Sequence, residues 1–572
     1  MATKWWPCSF ESPQDEPDPA IRKLSEFFQA KGLAALKRED RGERWYDDWL
    51  AYQAQHRIYA SVLSPAKYSS LGHRFDLRNL VRFLEAFAYF SPAHGYSIQC
   101  TFLGLFPILM SENEPLKREA IAILERGGLF ALGVSEKAHG SDLLGNEFAI
   151  RPSDAGRFVA NGSKYYIGNS NVAAMITILA KRDNGQVHGS RRSPMVLFAL
   201  RNGKPSSTRN ERKISTFGIR SGFVGEFDVK GYEFPQSDVV AEHRAAWDSV
   251  FGTVGLGKFF LGFGAIGICE RAFGEAWEHV TARQLYGKPV IQMPHIRRYI
   301  ARAYARLAAM KLYAYRALDY FHAAGETDRR YLLFAAVQKA KVSTDGVRVI
   351  EQLLECIGAR GFESDTYFEM ALRDIRLLPV LEGSSHINFA LAGQFRQAYF
   401  DGSDAHAKSP ATCNGEPCAD EVSYLFTAQS APPKSVKFAD PSRAYQSLSH
   451  IASAKRFAEQ FDAFQLFARS LDETSPATGE DTETAIALGK CVSTVAFAQL
   501  VAEHGQLLHA PDPIVSLIFH QLIEDFSIEA LRLAGASGLS DPQRESLMGV
   551  IVRSSIDPAD IEFAIEWIGA RQ

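Results

Sequence analysis

The sequence predicts an α+β protein that is mostly α. Along the chain we expect an N-terminal α-helical domain, a central antiparallel β-barrel or sandwich, a C-terminal four-helix bundle, a linker and a further helical extension. The hydrophobic period supports this order, because it is helical, then strand-like, then helical again. A Pro/Ser/Ala-rich segment without clear period interrupts the second helical region. The predicted boundaries are 1–128, 129–245, 246–400, 401–442 and 443–572.

The composition is that of an ordinary globular protein, with 572 residues, 46% hydrophobic and 23% charged. A net charge of −3 gives no reason to expect nucleic acid as a partner. Seven cysteines are too sparse for a disulfide scaffold, so we expect a reducing, cytoplasmic setting. The N-terminal residues include no apolar segment, so no signal peptide is expected. The apolar stretches Tyr96–Met110 and Phe251–Cys269 are too short or too charged for a membrane span, and none is expected.

Charge is distributed unevenly between the two ends of the chain. Residues Leu471–Gln572 carry 16 acidic and 5 basic residues, so the preceding part of the chain has a net positive charge. One interpretation is that the acidic extension docks on a basic body by electrostatic attraction. The alternative is a solvated acidic surface, and the sequence leaves both open.

Three amphipathic helices are predicted in the N-terminal domain, at Ile21–Leu36, Leu77–Tyr89 and Asn113–Arg126. The β region then holds short strands separated by Gly, Asn, Asp or Pro, and Asn161-Gly162 predicts a hairpin turn between two of them. The predicted strands are Leu129–Ser135, Glu147–Arg151, Gly156–Ala160, Lys164–Ile167, Met175–Lys181, Met195–Leu200 and Glu226–Val229.

Four long helices are predicted for the bundle, because apolar residues recur at steps of four and three. They are Gly252–Arg283, a helix with the stripe Ile296–Phe321, Tyr331–Ile357 and Asn388–Phe400. In the extension, a phenylalanine stripe from Phe457 and the segments Thr484–Leu508 and Ile514–Leu533 predict further helices.

Four motifs follow one another in this framework. VSEKAHGSD (Val134–Asp142) opens the β region, and NGSKYYIGNS (Asn161–Ser170) follows it. ARQLYGKPV (Ala282–Val290) ends a long helix, and CIGARGF precedes RDIRLLPVLEGSSHI (Arg373–Ile387). In this order the motifs resemble those of the FAD-dependent acyl-CoA dehydrogenases, and the likeness covers about residues 80–400.

The first two motifs imply contacts with the flavin. By resemblance, Val134 and Ser135 contact the flavin ring, and Ser141 faces flavin phosphate or substrate. Tyr166 takes the position of a family tryptophan and offers an aromatic plane for stacking. Gly168 replaces a family threonine, so one hydroxyl to the flavin is missing and a backbone N–H could substitute.

The last two motifs imply contacts with the dinucleotide and the substrate. Arg283 is expected at the FAD pyrophosphate, often that of a neighbouring subunit, because a guanidinium suits a doubly anionic target. Glycine residues let a backbone approach phosphate closely, and a helix N-terminus attracts anions. The remaining cofactor residues implied by the resemblance are Tyr286, Gly358, Gly361, Ser384 and His386.

Glu382 falls on the catalytic base of the family. Its apolar neighbours would make it a stronger base, and Gly383 permits a tight turn into the next helix. The resemblance implies that Glu382 takes the α-proton of an acyl thioester while flavin N5 accepts hydride from the β-carbon. Lys258 stands where many members have an arginine near the acyl-CoA, so substrate-binding roles are expected for Ser141, Lys258 and Gly383. No metal is expected.

Three hypotheses remain open. The first is an acyl-CoA dehydrogenase that passes electrons to an electron-transferring flavoprotein. The second is an acyl-CoA oxidase that uses O2, or an enzyme acting on acyl groups bound to a carrier protein. The third is a homologue without catalytic activity. A homodimer is slightly favoured over a homotetramer, because related chains with C-terminal extensions fill the place of a second pair of subunits.

Overall fold

The computed structural model describes residues 18–153, 156–183, 194–201, 208–401, 409–412, 421–426, 435–471 and 481–571. It divides the chain into two compact units. The first comprises Pro17–Gly257 and Pro417–Ser430. The second comprises the described residues within Lys258–Glu416 and Ala431–Gln572. The predicted linker lies in part outside the described residues, and the five-part division of the chain stays a prediction.

The first unit begins with six helices, and a side chain caps the start of three of them, at Asp18, Asp76 and Asn113. The carboxylate of Asp76 accepts from the backbone N–H of Asn79 at 2.8 Å, and Asn113 caps its helix in the same way. The three predicted helices are confirmed, with slightly different bounds. The helices are α1 (Pro19–Arg41), α2 (Asp47–His56), α3 (Ile58–Leu63), α4 (Leu77–Phe90), α5 (Pro92–Met110) and α6 (Glu114–Glu125).

Eight strands of this unit form one sheet in the order β6-β7-β3-β2-β4-β5-β8, and β1 pairs with β4. Most pairs are antiparallel, as predicted, but β4 runs parallel to both β1 and β2. Buried phenylalanines such as Phe148, Phe198 and Phe234 form the core beneath it. The strands are β1 (Leu129–Gly133), β2 (Ala149–Ser153), β3 (Arg157–Gly168), β4 (Ala173–Arg182), β5 (Met195–Arg201), β6 (Thr208–Lys213), β7 (Val224–Pro235) and β8 (Val239–Glu242).

The predicted hairpin at Asn161-Gly162 is wrong. Both residues lie inside the continuous strand β3, where the pairing register with β7 shifts between Ala160 and Gly162. Gly162 has φ +149°, and a Cβ there would lie 2.6 Å from the ring of Phe148. Glycine is therefore needed here because the strand has a bulge and Phe148 packs against it, and not because the chain reverses its direction.

The second unit is helical and continues α7 (His243–Ala282), which begins in the first unit. Two predicted helices are divided. A five-residue π-helical turn, Gln338–Val342, interrupts the segment predicted as Tyr331–Ile357. The helices up to residue 400 are α8 (Pro294–His322), α9 (Tyr331–Val337), α10 (Ser343–Ile357), α11 (Tyr367–Asp374), α12 (Ser385–Gly393) and α13 (Arg396–Phe400). A short hairpin of β9 (Gln284–Leu285) and β10 (Lys288–Pro289) follows α7.

The extension packs in the same unit and is fastened by buried ion pairs. Asp525 on α17 lies 2.8 Å from Arg306 on α8, 3.4 Å from Lys341 and 3.1 Å from Arg348. Burial alone would raise the pKa of Asp525, but these three cations hold it far below its usual range. Ion pairs of this kind between the extension and preceding basic residues are what the electrostatic interpretation predicts, and the choice between it and a solvated acidic surface stays a prediction. Its helices are α14 (Ser442–Gln446), α15 (Ala452–Ser470), α16 (Thr482–Leu507), α17 (Asp512–Ala534), α18 (Asp541–Met548) and α19 (Pro558–Gly569).

By length and composition alone, two of the described helices could cross a bilayer. They are α7 and α16, and 67% and 78% of their most apolar windows are buried within the protein. Such burial is typical of core helices in a globular fold. The expectation that the chain holds no membrane span stays a prediction.

Candidate active site

The first two motifs lie side by side at the end of β1. The backbone N–H of Tyr165 donates to the carbonyl of Ser135 at 3.0 Å, and the Ser135 hydroxyl donates to the carbonyl of Tyr165 at 2.6 Å. Val134 and Ser135 are half-buried just beyond the last residue of the strand. Two hydrogen bonds, one donated by each motif, therefore join the predicted flavin-binding strand to the second motif.

A buried ion pair, which the sequence reasoning did not anticipate, supports this junction. The ammonium of the fully buried Lys164 donates to a carboxylate oxygen of Glu136 and to the carbonyl of Val134, both at 2.9 Å. The Glu136 carboxylate also accepts from the N–H groups of Glu147 and Phe148. Burial lowers the pKa of Lys164 to about 8, against the opposing effect of Glu136. The signal was present, because both partners lie inside the motifs.

Tyr166 projects from a bulge in β3. The pairing register with β7 shifts between Tyr165 and Ile167, and Tyr166 adopts a left-handed conformation with φ +63°. Its side chain is 61% exposed. Such a conformation is strained for a bulky residue and is found at ligand-binding positions more than elsewhere. An exposed aromatic ring at this point suits the stacking role that the resemblance implies.

The glycine at position 168 has a packing reason. A Cβ on Gly168 would lie 2.2 Å from the sulfur of Cys100 and 2.7 Å from the hydroxyl of Tyr96, both on α5. The close approach of α5 to β3 therefore leaves no room for the threonine that the family has here. The hydroxyl of Tyr96 lies next to the space where that side chain would begin.

Gly168→Ala is expected to lower the free energy of unfolding by about 1–3 kcal/mol, because the added methyl overpacks the contact with α5. Cys100→Ala in the same chain removes the nearest atom and should recover part of the loss. Gly274→Ala is the control, since that helical glycine has open space and the change should stabilise by about 0.5–1 kcal/mol. Urea unfolding measures all three. Equal stability of Gly168→Ala and the unchanged chain would contradict the packing argument.

Ser141 lies in an exposed loop of the first unit. Gly140 before it is also exposed, and a Cβ there would meet nothing within 4 Å. The loop is thus open enough for its main chain to approach a ligand. The role of Ser141 toward phosphate or substrate stays a prediction.

Arg283 and Tyr286 lie at the exposed end of α7 in the second unit. The N–H of Arg283 closes the helix on the carbonyl of His279 at 2.9 Å. Tyr286 and Gly287 form the turn of the β9–β10 hairpin with φ +52° and +76°. Tyr286 is 94% exposed. An aromatic ring and a guanidinium are thus presented outward by this chain.

The two predicted phosphate-binding glycines differ in their surroundings. Gly358 ends α10 with φ +59°, and a Cβ there would meet nothing within 4 Å. Gly361 is buried, and a Cβ there would lie 2.7 Å from Leu354. Gly358 therefore provides the backbone conformation and open space that a phosphate needs, whereas Gly361 is required by packing.

The helix that follows Glu382 begins at Ser385, three residues before the predicted start at Asn388. Ser384 is the residue before α12, and its hydroxyl lies 3.0 Å from Nε2 of the exposed His386 instead of capping the helix. In the described part of the chain no side chain caps α12. The N–H of Ser385, the first residue of the helix, donates to the carbonyl of Pro379, so the N–H groups of His386 and Ile387 are the ones that an anionic group could bind.

Glu382 occupies a strained turn. It is half-buried and adopts φ +54°, and Gly383 follows with φ +86°. The turn is fastened at both ends: the N–H of Ser385 donates to the carbonyl of Pro379 at 2.8 Å, and the Asn388 amide donates to the carbonyl of Gly383 at 3.0 Å. A left-handed glutamate held by its surroundings is the kind of strain that clusters at active sites.

Two lysines act on Glu382. Loss of hydration lowers the pKa of Lys258, on α7, to about 8. It lowers the pKa of the buried Lys339 to about 7, and the negative charge of Glu382 opposes the shift in both. Lys258, predicted as a substrate contact, is thus placed beside the predicted base. Lys339 was not predicted, because it lies outside the four motifs.

One group of metal-ligand type occurs among the described residues, at Glu39, Asp48 and His94. The ammonium of Lys31 lies 2.5 Å from Glu39 and 2.6 Å from Asp48, so a protein cation already neutralises both carboxylates. This cluster is therefore explained by an ion pair in the first unit.

Two family models match the chain over the regions that hold these motifs. "Acyl-CoA dehydrogenase, middle domain" matches residues 131–231, and "Acyl-CoA dehydrogenase, C-terminal domain" matches residues 247–395. The chain belongs to the FAD-dependent acyl-CoA dehydrogenase family. The family and enzyme class predicted from the four motifs are thereby confirmed.

Similar proteins extend this finding. A cyclohex-1-ene-1-carbonyl-CoA dehydrogenase of Geobacter metallireducens is 25% identical over 337 residues, 58% of this chain and 85% of that protein. An acyl-CoA dehydrogenase complexed with FAD from Bacillus anthracis shares the fold with a TM-score of 0.76 at 17% identity, over 98% of this chain and 96% of that one. The prolyl acyl carrier protein oxidase AnaB matches with a TM-score of 0.56 at 20% identity, over 66% and 97%. The B. anthracis fold therefore includes the counterpart of the helical extension.

Proposed function

We propose that the chain catalyses the α,β-dehydrogenation of an acyl-CoA thioester to the trans-2-enoyl-CoA, with Glu382 as the catalytic base. One observation carries the proposal. Glu382 is held in a strained turn directly before the uncapped N-terminus of α12, with two lysines beside it. A carboxylate fixed in this way is positioned to accept a proton.

Each unit, taken by itself, has residues that suit a part of FAD, the cofactor of the family. The first unit offers the exposed ring of Tyr166 on its bulge. The second offers the exposed Arg283, the open left-handed turn at Gly358 and the uncapped start of α12. An aromatic plane suits an isoalloxazine, and a guanidinium with free N–H groups suits a pyrophosphate.

In the proposed reaction, Glu382 removes the proton from the α-carbon of the acyl chain. The backbone N–H of Glu382 donates to the thioester carbonyl and stabilises the negative charge that develops on its oxygen. Bound FAD supplies the acceptor for the hydride that leaves the β-carbon. The negative charge of Glu382 favours the charged forms of Lys258 and Lys339, so the three groups act on one another electrostatically.

We also infer an electron-transferring flavoprotein as the electron acceptor and a homodimer as the assembly. Both come from the family resemblance. The exposure of Arg283 and Tyr286 supports the second, because exposed side chains at this place are accessible to a neighbouring copy.

Anaerobic titration of the purified protein with a panel of acyl-CoA thioesters is expected to bleach the flavin absorbance with one class of chain, since hydride transfer reduces the ring. The same acyl groups on an acyl carrier protein form the second arm. If only the acyl groups bound to the carrier protein bleach the flavin, the substrate is an acyl carrier protein thioester and not an acyl-CoA. Reoxidation in air within seconds, with stoichiometric peroxide, would identify an oxidase. A protein that binds FAD and is bleached by neither arm would contradict the proposed reaction.

A further inference from the structure

The π-helical turn Gln338–Val342 interrupts a helix that the sequence predicts as continuous. Such turns are rare and occur frequently at functional sites. Here neighbouring hydroxyls satisfy the carbonyls of the widened turn: Ser343 donates to the carbonyl of Lys339, and Thr344 donates to that of Ala340 at 2.8 Å. The turn is thus a built feature with its own polar support.

Two buried lysines of this turn have different partners. The ammonium of Lys341 lies 3.1 Å from Asp345 and 3.4 Å from Asp525, so two carboxylates neutralise it. The ammonium of Lys339 donates to the carbonyl of Leu378 at 2.6 Å. Leu378 lies four residues before Glu382, in the turn that carries the predicted base.

A fully buried ammonium needs a negative charge nearby, because a single carbonyl does not repay the lost hydration. In the described part of the chain, the charged groups that act on Lys339 are Glu382, which favours its charged form, and Lys258 on α7, which opposes it. Lys341 faces away from this group, toward Asp345 and Asp525. Glu382 is therefore the carboxylate whose negative charge compensates the buried ammonium of Lys339.

We propose that Lys339 is a positioning residue for Glu382: its buried ammonium anchors the turn of the base through the carbonyl of Leu378 and supplies a positive charge to the Glu382 carboxylate. The inference rests on the proposed function, because it gives Lys339 a role toward the base of that reaction. It also explains the cost of a buried cation that no described aspartate or glutamate neutralises through a short ion pair.

Infrared difference spectroscopy of the full-length, flavin-loaded chain tests the proposal directly. The carbonyl stretch of protonated Glu382 is identified by its loss in Glu382→Gln, and its intensity is followed against pH. Lys339→Met is expected to move the midpoint of Glu382 protonation upward by at least about one pH unit, because an opposite charge nearby favours the carboxylate. Lys339→Gln should give the same shift, since it keeps a donor for Leu378 and loses only the charge.

Lys341→Met is the matched control. It removes a buried lysine from the same turn, so it should lower stability yet leave the Glu382 midpoint unchanged. An unchanged midpoint in both Lys339 variants, or an equal shift in Lys341→Met, would overturn the proposal.

The rate of flavin bleaching, measured against pH, provides a second readout. The pH at which this rate falls on the acidic side should move in the same direction as the infrared midpoint. If Glu382→Gln is still bleached normally, the proposed function fails whatever the midpoint does. If Glu382→Gln is inactive and the midpoint is unmoved in the Lys339 variants, the inference alone fails.

Discussion

Glu382→Gln is expected to reduce the rate of flavin bleaching by acyl-CoA by about 100- to 10,000-fold, the usual contribution of a general base. Glutamine has nearly the shape of glutamate, so the strained turn and the contacts around it should remain. It cannot accept a proton from the α-carbon. Anaerobic stopped-flow absorbance at saturating substrate measures the rate.

The control for this variant is Glu545→Gln, which changes an exposed glutamate on α18 and should bleach at the unchanged rate. Flavin content and thermal midpoint of Glu382→Gln should match those of the unmodified chain. A variant that retains flavin and bleaches within a few-fold of normal would remove Glu382 from the role of base.

Lys164→Met is expected to lower the free energy of unfolding by about 3–5 kcal/mol and to weaken flavin retention. The change leaves the buried Glu136 carboxylate without its cation, and breaking one half of a buried pair has a cost of this size. It also removes the hydrogen bond to the carbonyl of Val134, which positions the predicted flavin strand. Urea unfolding and the flavin-to-protein ratio after gel filtration measure the two effects.

The double variant Lys164→Met/Glu136→Gln should recover much of the stability, because no charge remains buried without a partner. Lys137→Met, at an exposed position of the same loop, should change stability by less than about 0.5 kcal/mol. If Lys164→Met matches Lys137→Met, the ion pair does not hold the junction of the two motifs.

Hydrophobic period and motif spacing were enough to predict the helix–sheet–helix order and the region of the candidate base. They worked because helix faces and capping residues are local properties; the start of α4 at Leu77, directly after the capping residue Asp76, is one example. Asn161-Gly162 shows the opposite case. Its local preference for a turn yields to the packing of Phe148 against the bulge in β3, and no neighbouring residue in the sequence reveals that contact.

The parts of the site that were not predicted depend on distant pairs. Lys339 and Leu378 are separated by 39 positions, and Lys164 and Glu136 by 28. A charged residue in an apolar helix or strand indicates that it has a partner of opposite charge, but the sequence does not identify the partner residue. Strand β6 (Thr208–Lys213) was missed for a related reason, since its charged sequence lacks the apolar alternation by which strands are recognised.

The ion pairs of Asp525 connect the last part of the chain to the π-helical turn whose Lys339 contacts the turn of the proposed base. Asp525 holds Lys341, and two positions away on the same turn Lys339 holds the loop of Glu382. Trimming this protein to the length of its shorter relatives would remove Asp525 and leave Arg306, Lys341 and Arg348 to share the single carboxylate of Asp345. A shortened version would therefore need a new carboxylate in place of Asp525 to restore the balance of charge in this cluster.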